Sequence, residues 1–206
     1  LPGWLGQAQV AGHCVYLLPW PGQRLPDSYD WRAQRLVRIA KLWTLRPDRE
    51  LTRRYRRTHR LIWERLPVER LEELDPALET EADRQQAARL AEGWHALLER
   101  VQKKQPLALH NPAMAMRGNW RDDDTPVCLR WDQWVIEPVG HEPALAEYRP
   151  EELRQALERM TWPTEAPMPD PTVTYLVGLL CAFEKALNQR HLTRAKELAF
   201  RILEEM

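Results

Sequence analysis

Apolar residues recur at intervals of three and four along most of this chain, and this spacing predicts a mainly helical protein. The clearest stripe predicts a long helix from about Ala77 to Lys104, with lysines in its last turn, where cations complement the helix dipole. The same periodicity predicts further helices at residues 29–45, 48–66, 68–74, 150–160, 172–188 and 192–205. Prolines between these segments, such as Pro47 and Pro67, mark where one predicted helix stops and the next begins.

Two segments have the pattern of short β-hairpins. Gln7–Val10 and His13–Leu18 are strand-like and are separated by an Ala-Gly pair suited to a turn. In the middle of the chain, the segment 107–131 is apolar at both ends and contains an acidic turn, which predicts a second hairpin with a strand at 127–131. The predicted fold class is therefore α+β, mostly α: a helical domain with two small hairpins.

Composition limits the classes of protein that fit this pattern. The 206 residues are 44% hydrophobic and 29% charged, so the chain can bury the core of one domain. Thirty basic residues balance thirty acidic ones, and this balance excludes a disordered acidic or basic tail protein but leaves local charged patches open. Because neither a membrane-spanning apolar run nor a signal peptide is visible, we expect a cytoplasmic protein without a membrane span.

Cysteine usage agrees with a reducing compartment. The three cysteines, Cys14, Cys128 and Cys181, are far apart and lack the paired spacing of a zinc site or a disulfide framework. Each has apolar neighbours in the sequence, so we expect buried thiols.

Tryptophan is unusually frequent, with ten residues against two phenylalanines. Exposed tryptophans bind sugars or bases by stacking, whereas buried ones fill a core. Four of the ten fall in predicted helices with apolar faces, which favours a role in the core.

Four short motifs follow one another between residues 107 and 142. They read Leu-His-Asn-Pro at 109–112, Arg-Gly-Asn-Trp at 117–120, Cys-Leu-Arg-Trp-Asp at 128–132 and Glu-Pro-Val-Gly-His-Glu at 137–142. Their order and spacing resemble the catalytic segment of the aminoglycoside phosphotransferase and choline kinase superfamily, which carries patterns like HGDLHPGN, LIDWE and GPVGYDLA. The segment Tyr16–Gly22 is similar to the hinge of these kinases.

The resemblance implies a kinase-like C-lobe over residues 27–206 with its central hairpin near 107–131. Residues 1–26 would then be a hinge strand pair, the remnant of an N-lobe. In the family, the glycine-rich strands and the Lys that bind ATP lie upstream of this hinge. Members of the family transfer phosphate from ATP with the help of magnesium ions.

Two departures from the family motifs affect the residues of the transfer reaction. Pro112 falls where the family has its catalytic Asp, and it has no side-chain acceptor. Arg130 falls where the family has a magnesium-binding Asp, and its positive charge would repel the metal. The resemblance therefore implies a catalytically degenerate member without a metal site or a cofactor.

The other motif positions have less decisive chemistry. His110 is expected to support the loop structurally, as its counterpart does in the family. The metal-binding Asn of the family corresponds either to Asn119 or, by counting from His110, to Arg117. Asp132, Glu137 and Glu142 are the candidates for replacement carboxylates, but Asp132 directly follows the motif Trp and is expected to point in a different direction from the lost Asp.

A basic run precedes these motifs. It holds seven arginines and only two acidic residues: Arg46, Asp48, Arg49, Glu50, Arg53, Arg54, Arg56, Arg57 and Arg60. On the predicted helix 48–66, the residues Arg49, Arg53, Arg56 and Arg60 share one face. Because guanidinium groups bind phosphate oxygens in pairs, this face suits a phosphate-rich partner such as RNA, DNA or lipid headgroups. The alternative is a solvated face whose arginines pair with acidic residues elsewhere.

Three functions follow as hypotheses. The first is a non-catalytic kinase-like protein that acts as a binding or scaffold module, with a protein partner or a second copy covering an exposed hinge side near Leu17, Trp20 and Leu129. The second is an active ATP- and magnesium-dependent phosphotransferase cut from a longer chain. The third is a polyanion-binding protein that uses the arginine helix.

Overall fold

The computed structural model describes residues 6–10, 13–17, 31–115, 120–121, 134–159 and 168–206. Its helices are α1 Trp31–Leu42, α2 Arg49–Tyr55, α3 Ile62–Arg65, α4 Glu81–Lys104, α5 Pro150–Glu158, α6 Pro171–Asn188 and α7 Leu192–Glu204. Within the described ranges, 3₁₀ helices cover Val68–Ala77, Pro112–Ala115 and Pro143–Glu147. The strands are β1 Gly6–Val10, β2 His13–Leu17, β3 Leu107–His110 and β4 Val135–Pro138. A mostly helical fold with small antiparallel sheets confirms the coarse fold class.

Helix α6 forms the centre of the core. Asp170 caps its N-terminus by accepting hydrogen bonds from the backbone N–H groups of Thr172 and Val173. Thirteen of its eighteen residues are buried, which is expected of a helix that is apolar on all sides. Helix α7 and the 3₁₀ helix Pro143–Glu147 pack against it.

Helix α4 is the long helix that the sequence predicts, and it starts four residues later than expected. Thr80 and Asp83 form a capping box at its N-terminus, with the hydroxyl of Thr80 accepting from the N–H of Asp83. Four residues of the predicted stripe are buried along one face: Leu90, Trp94, Leu97 and Val101. The amphipathic pattern therefore identified the correct buried side.

Two pairs of described strands are antiparallel. Strand β1 pairs with β2 from Gly6 opposite Leu17 to Val10 opposite His13. Strand β3 pairs with β4 from Leu107 opposite Pro138 to His110 opposite Val135. The sequence prediction did not include β4, because a four-residue strand containing a proline and a glutamate has little strand pattern; the strand predicted at 127–131 lies outside the described residues.

The helix predicted over residues 48–66 is wrong as one element. Helix α2 ends at Tyr55, and the N–H groups of Arg57 and Thr58 bond to carbonyls only three residues back. The chain then runs extended through Leu61, which is completely buried, before α3 begins. Burying this leucine requires a change of direction that a single straight helix does not allow.

The described tryptophans serve mainly as core residues, as expected. Trp43, Trp94 and Trp120 are almost fully buried, and the indole N–H of Trp94 donates to the carbonyl of Leu66 at 2.8 Å. Cys181 is buried within α6, which agrees with the expectation for its thiol. Within the described residues, no helix has the length and apolar character needed to cross a membrane.

Candidate functional site

The kinase-like motif positions are only partly described. His110 is the last residue of β3, Asn111 is buried beside it, and Pro112 is exposed at the start of a 3₁₀ helix. Asn119, Arg117, Arg130 and Asp132 lie outside the described residues, as do Trp20 and Leu129 of the expected hinge surface. Pro112, which the resemblance aligns with a catalytic carboxylate, is therefore an exposed pyrrolidine ring.

His110 has the surroundings of a packed, neutral histidine. Its side chain is buried, and burial lowers its pKa to about 4. The ring meets that of His141 edge to face, with centroids 5.9 Å apart. A small cavity of about 20 Å³, room for roughly one water molecule, lies between His110, Trp43 and Glu142.

A buried charge cluster lies next to these rings and joins three elements. Arg65 of α3 forms two hydrogen bonds to Glu184 of α6, at 2.6 and 3.0 Å, and an ion pair with Glu137 of β4. Its Nη2 also lies 3.1 Å from Nε2 of His141. Glu137 in addition accepts a hydrogen bond of 3.0 Å from the backbone N–H of Ile62.

Burial dominates the electrostatics of this cluster. It raises the pKa of Glu137 to about 7, against the opposing attraction of Arg65, and lowers the pKa of His141 well below its usual range. The ion pair with Arg65 and the hydrogen bond from Ile62 already occupy the Glu137 carboxyl group, so it does not face a ligand site. Glu142 is used locally as well, since its carboxylate accepts from the N–H of Ala144.

A second site lies at the surface, along α2 and the edge of β3. We call it the arginine groove; it is an open depression of about 670 Å³ lined by Arg46, Pro47, Arg49, Thr52, Arg53, Arg56, Arg57 and Leu107. No acidic residue is among these lining residues. The groove therefore concentrates positive charge in a chain whose formal net charge is zero.

Local contacts fix the floor of the arginine groove. The N–H of Leu109 donates to the carbonyl of Leu45 at 2.8 Å, which holds β3 beside the segment leading into α2. Arg46 donates from Nη1 to the carbonyl of Leu107 at 3.1 Å, and burial lowers the pKa of this guanidinium. Asp48 caps α2 by accepting from the N–H of Leu51 at 2.7 Å.

The arginines of this region differ in whether they already have an acidic partner. Arg56 pairs with Glu64, and Arg54, which does not line the groove, pairs with Glu50. Three lining arginines are exposed and make no side-chain hydrogen bond or ion pair with the described part of the chain: Arg49, Arg53 and Arg57. These three cations remain available to a ligand.

The predicted four-arginine face is corrected accordingly. Arg49, Arg53 and Arg56 do line one groove, but Arg60 follows the end of α2 and is not among the lining residues. Arg46 and Arg57 line the groove instead, although they lie off the face predicted from the sequence. The density of arginine was the signal that located the groove; the turn after Tyr55 determines which arginines face it.

Comparison with protein-family models, with curated proteins and with solved structures gave no match to this chain. The arginine groove and the buried cluster are therefore interpreted from their own chemistry. In the described residues, no three His, Cys, Asp or Glu side chains are grouped so that they could hold a metal ion.

Proposed function

We propose that this protein is a non-catalytic binding module that takes a phosphate-bearing polyanion into the arginine groove. The observation that carries the proposal is the set of three exposed, unpaired arginines in a groove without acidic lining residues. Arg54, on the same helix but outside the groove, is by contrast paired with Glu50.

The arrangement of the arginines suits phosphate recognition. Arg49 and Arg53 are one helical turn apart, a rise of about 6 Å along α2. Each guanidinium offers a planar pair of donors that matches two phosphate oxygens. Arg46 and Arg56, which are held by Leu107 and Glu64, add charge from fixed positions. A polyanion would relieve the mutual repulsion of these cations.

The kinase-like resemblance forms the second part of the proposal. We regard the chain as a kinase-like C-lobe that has lost the transfer reaction. Pro112 supports this reading because it presents no acceptor for a substrate hydroxyl proton. The buried, packed environment of His110 supports a structural rather than a chemical role for the motif.

A polyanion titration tests the binding function. Inorganic polyphosphate labelled with a fluorophore should bind the wild type with an affinity that falls as salt rises, because bound phosphates release counterions. The variant Arg49→Gln/Arg53→Gln should lose most of this affinity. The matched control is Arg54→Gln/Arg84→Gln, which removes the same charge from two exposed arginines that pair with acids outside the groove.

Equal losses in the groove variant and the control would show a non-specific effect of net charge and contradict the proposal. A parallel assay of MgATP binding and turnover addresses the phosphotransferase hypothesis. Micromolar affinity for MgATP, or ATP turnover above that of a protein-free blank, would contradict the non-catalytic reading.

A further inference from the structure

An exposed aromatic stack stands at the end of the helix that forms the arginine groove. The rings of Tyr55 and His59 are parallel to within 9°, with centroids 4.3 Å apart. Tyr55 is half-buried, whereas His59 is exposed. One face of the His59 ring therefore covers Tyr55, and the opposite face is available to solvent.

Short hydrogen bonds fix this stack in place. The backbone N–H of His59 bonds to the carbonyl of Tyr55 at 3.0 Å, and Nδ1 of His59 lies 2.8 Å from the hydroxyl of Thr58. Arg57, which lines the arginine groove, is two residues before His59 in the same turn. An exposed ring face and an unpaired cation thus lie two residues apart in the turn that ends α2.

We infer that the arginine groove binds a single-stranded nucleic acid, with phosphates on Arg49, Arg53 and Arg57 and a base stacked on His59. This inference rests on the proposed binding of a phosphate-bearing polyanion. Polyphosphate and lipid headgroups would satisfy the arginines but have no flat ring for His59. A single strand has both phosphates for the arginines and exposed base faces for His59. Proteins that bind single strands combine a positive groove along the backbone with aromatic rings that stack on the bases.

The dimensions agree with a few nucleotides. The seven residues of α2 span about 10 Å at 1.5 Å per residue. A stacked strand rises about 3.4 Å per nucleotide, so this length corresponds to about three phosphates. A duplex keeps its bases inside the helical stack, where His59 would not reach a base face.

Fluorescence anisotropy with labelled 12-mers of oligo(U) and oligo(dT) tests the inference. The full chain should bind these strands more tightly than a 12-bp duplex, than polyphosphate of equal charge, and than vesicles with 30% anionic phospholipid. Three phosphate contacts predict a slope of log affinity against log salt of about −2, from roughly 0.7 per phosphate on a single strand.

Substitutions at His59 separate stacking from charge. His59→Ala should weaken oligonucleotide binding roughly fivefold or more, because stacking on one base accounts for at least that factor, and should leave polyphosphate binding unchanged. His59→Phe keeps a ring and should restore oligonucleotide affinity. His95→Ala, at a position with 90% of its side chain exposed, serves as the control substitution.

The outcomes distinguish this inference from the proposed function. A ring-dependent preference for single strands that is lost in Arg49→Gln/Arg53→Gln supports both. If polyphosphate or the vesicles bind as tightly as oligonucleotides, or if His59→Ala and His59→Phe behave alike, the inference is overturned while polyanion binding stands. If no polyanion binds through the groove arginines, both are overturned.

Discussion

Replacing His110 by phenylalanine should make the protein markedly less sensitive to acid. His110 is buried with a pKa of about 4, whereas a histidine in an unfolded chain has a pKa of about 6.5. Between pH 4 and pH 6.5, His110 is therefore mostly protonated in the unfolded chain and mostly neutral in the folded protein. The contribution of His110 to stability is therefore complete above pH 6.5 and is lost as the pH falls toward 4.

The size of the effect follows from the two pKa values. A difference of about 2.5 units at roughly 1.36 kcal/mol per unit gives about 3 kcal/mol. Phenylalanine has a similar shape and carries no proton to bind. The free energy of unfolding of His110→Phe, relative to wild type, should therefore improve by about 3 kcal/mol between pH 7 and pH 4.

Urea unfolding followed by tryptophan fluorescence at closely spaced pH values measures this difference. His141 and Glu137 are present in both proteins, so most of their own pH dependence cancels in the comparison. Replacement of the exposed His95 by phenylalanine controls for the loss of a histidine at the surface. Parallel profiles for wild type and His110→Phe would refute the argument, because they would mean that His110 is not held neutral by burial.

Two further substitutions test other parts of the fold. Gly140→Ala should destabilise the protein by about 3 kcal/mol or more in urea unfolding, because Gly140 has φ +93° and an added Cβ would lie 2.3 Å from the carbonyl oxygen of Thr174; a loss under 1 kcal/mol would contradict this close approach. Arg65→Met should cost about 3–5 kcal/mol at pH 8, because it leaves Glu137 and Glu184 buried without their cation. Losing Arg65 raises the pKa of Glu137 further, so the loss in free energy of unfolding should be smaller at pH 5, where the Glu137 carboxyl is neutral in both proteins. A loss that grew on acidification would contradict the description of Glu137 as a buried carboxyl paired with Arg65.

The sequence was sufficient for the elements whose pattern is local. Helix α4 was predicted from its stripe of apolar residues, which is visible without knowledge of the rest of the chain. The capping pair at Thr80 and Asp83, which sets the first residue of the helix, was missed, so the start was placed at Ala77. Helix α6 was predicted at 172–188 because its apolar segment is recognisable without the rest of the chain.

The arginine groove could be predicted only in part, because its geometry depends on distant residues. The abundance of arginine in residues 46–60 was evident from the sequence. Which of them stay unpaired depends on Glu64, which lies across a turn and neutralises Arg56, and on Leu107, which holds Arg46 from 61 residues away. Arg65 pairs with Glu137 and Glu184, which are 72 and 119 residues away in the sequence. Because these pairs are not local, the spacing of residues in the sequence does not predict them.

Helix α2, which supplies most of the arginine groove, buries none of its own residues. Its amide protons should consequently exchange with solvent through brief local opening of this one helix, at a small fraction of the free energy that opens α6. The core does not depend on which side chains α2 displays. Substitutions in the groove can therefore change ligand preference without altering folding, and the exposed helix can diverge in sequence while the rest of the domain stays constrained.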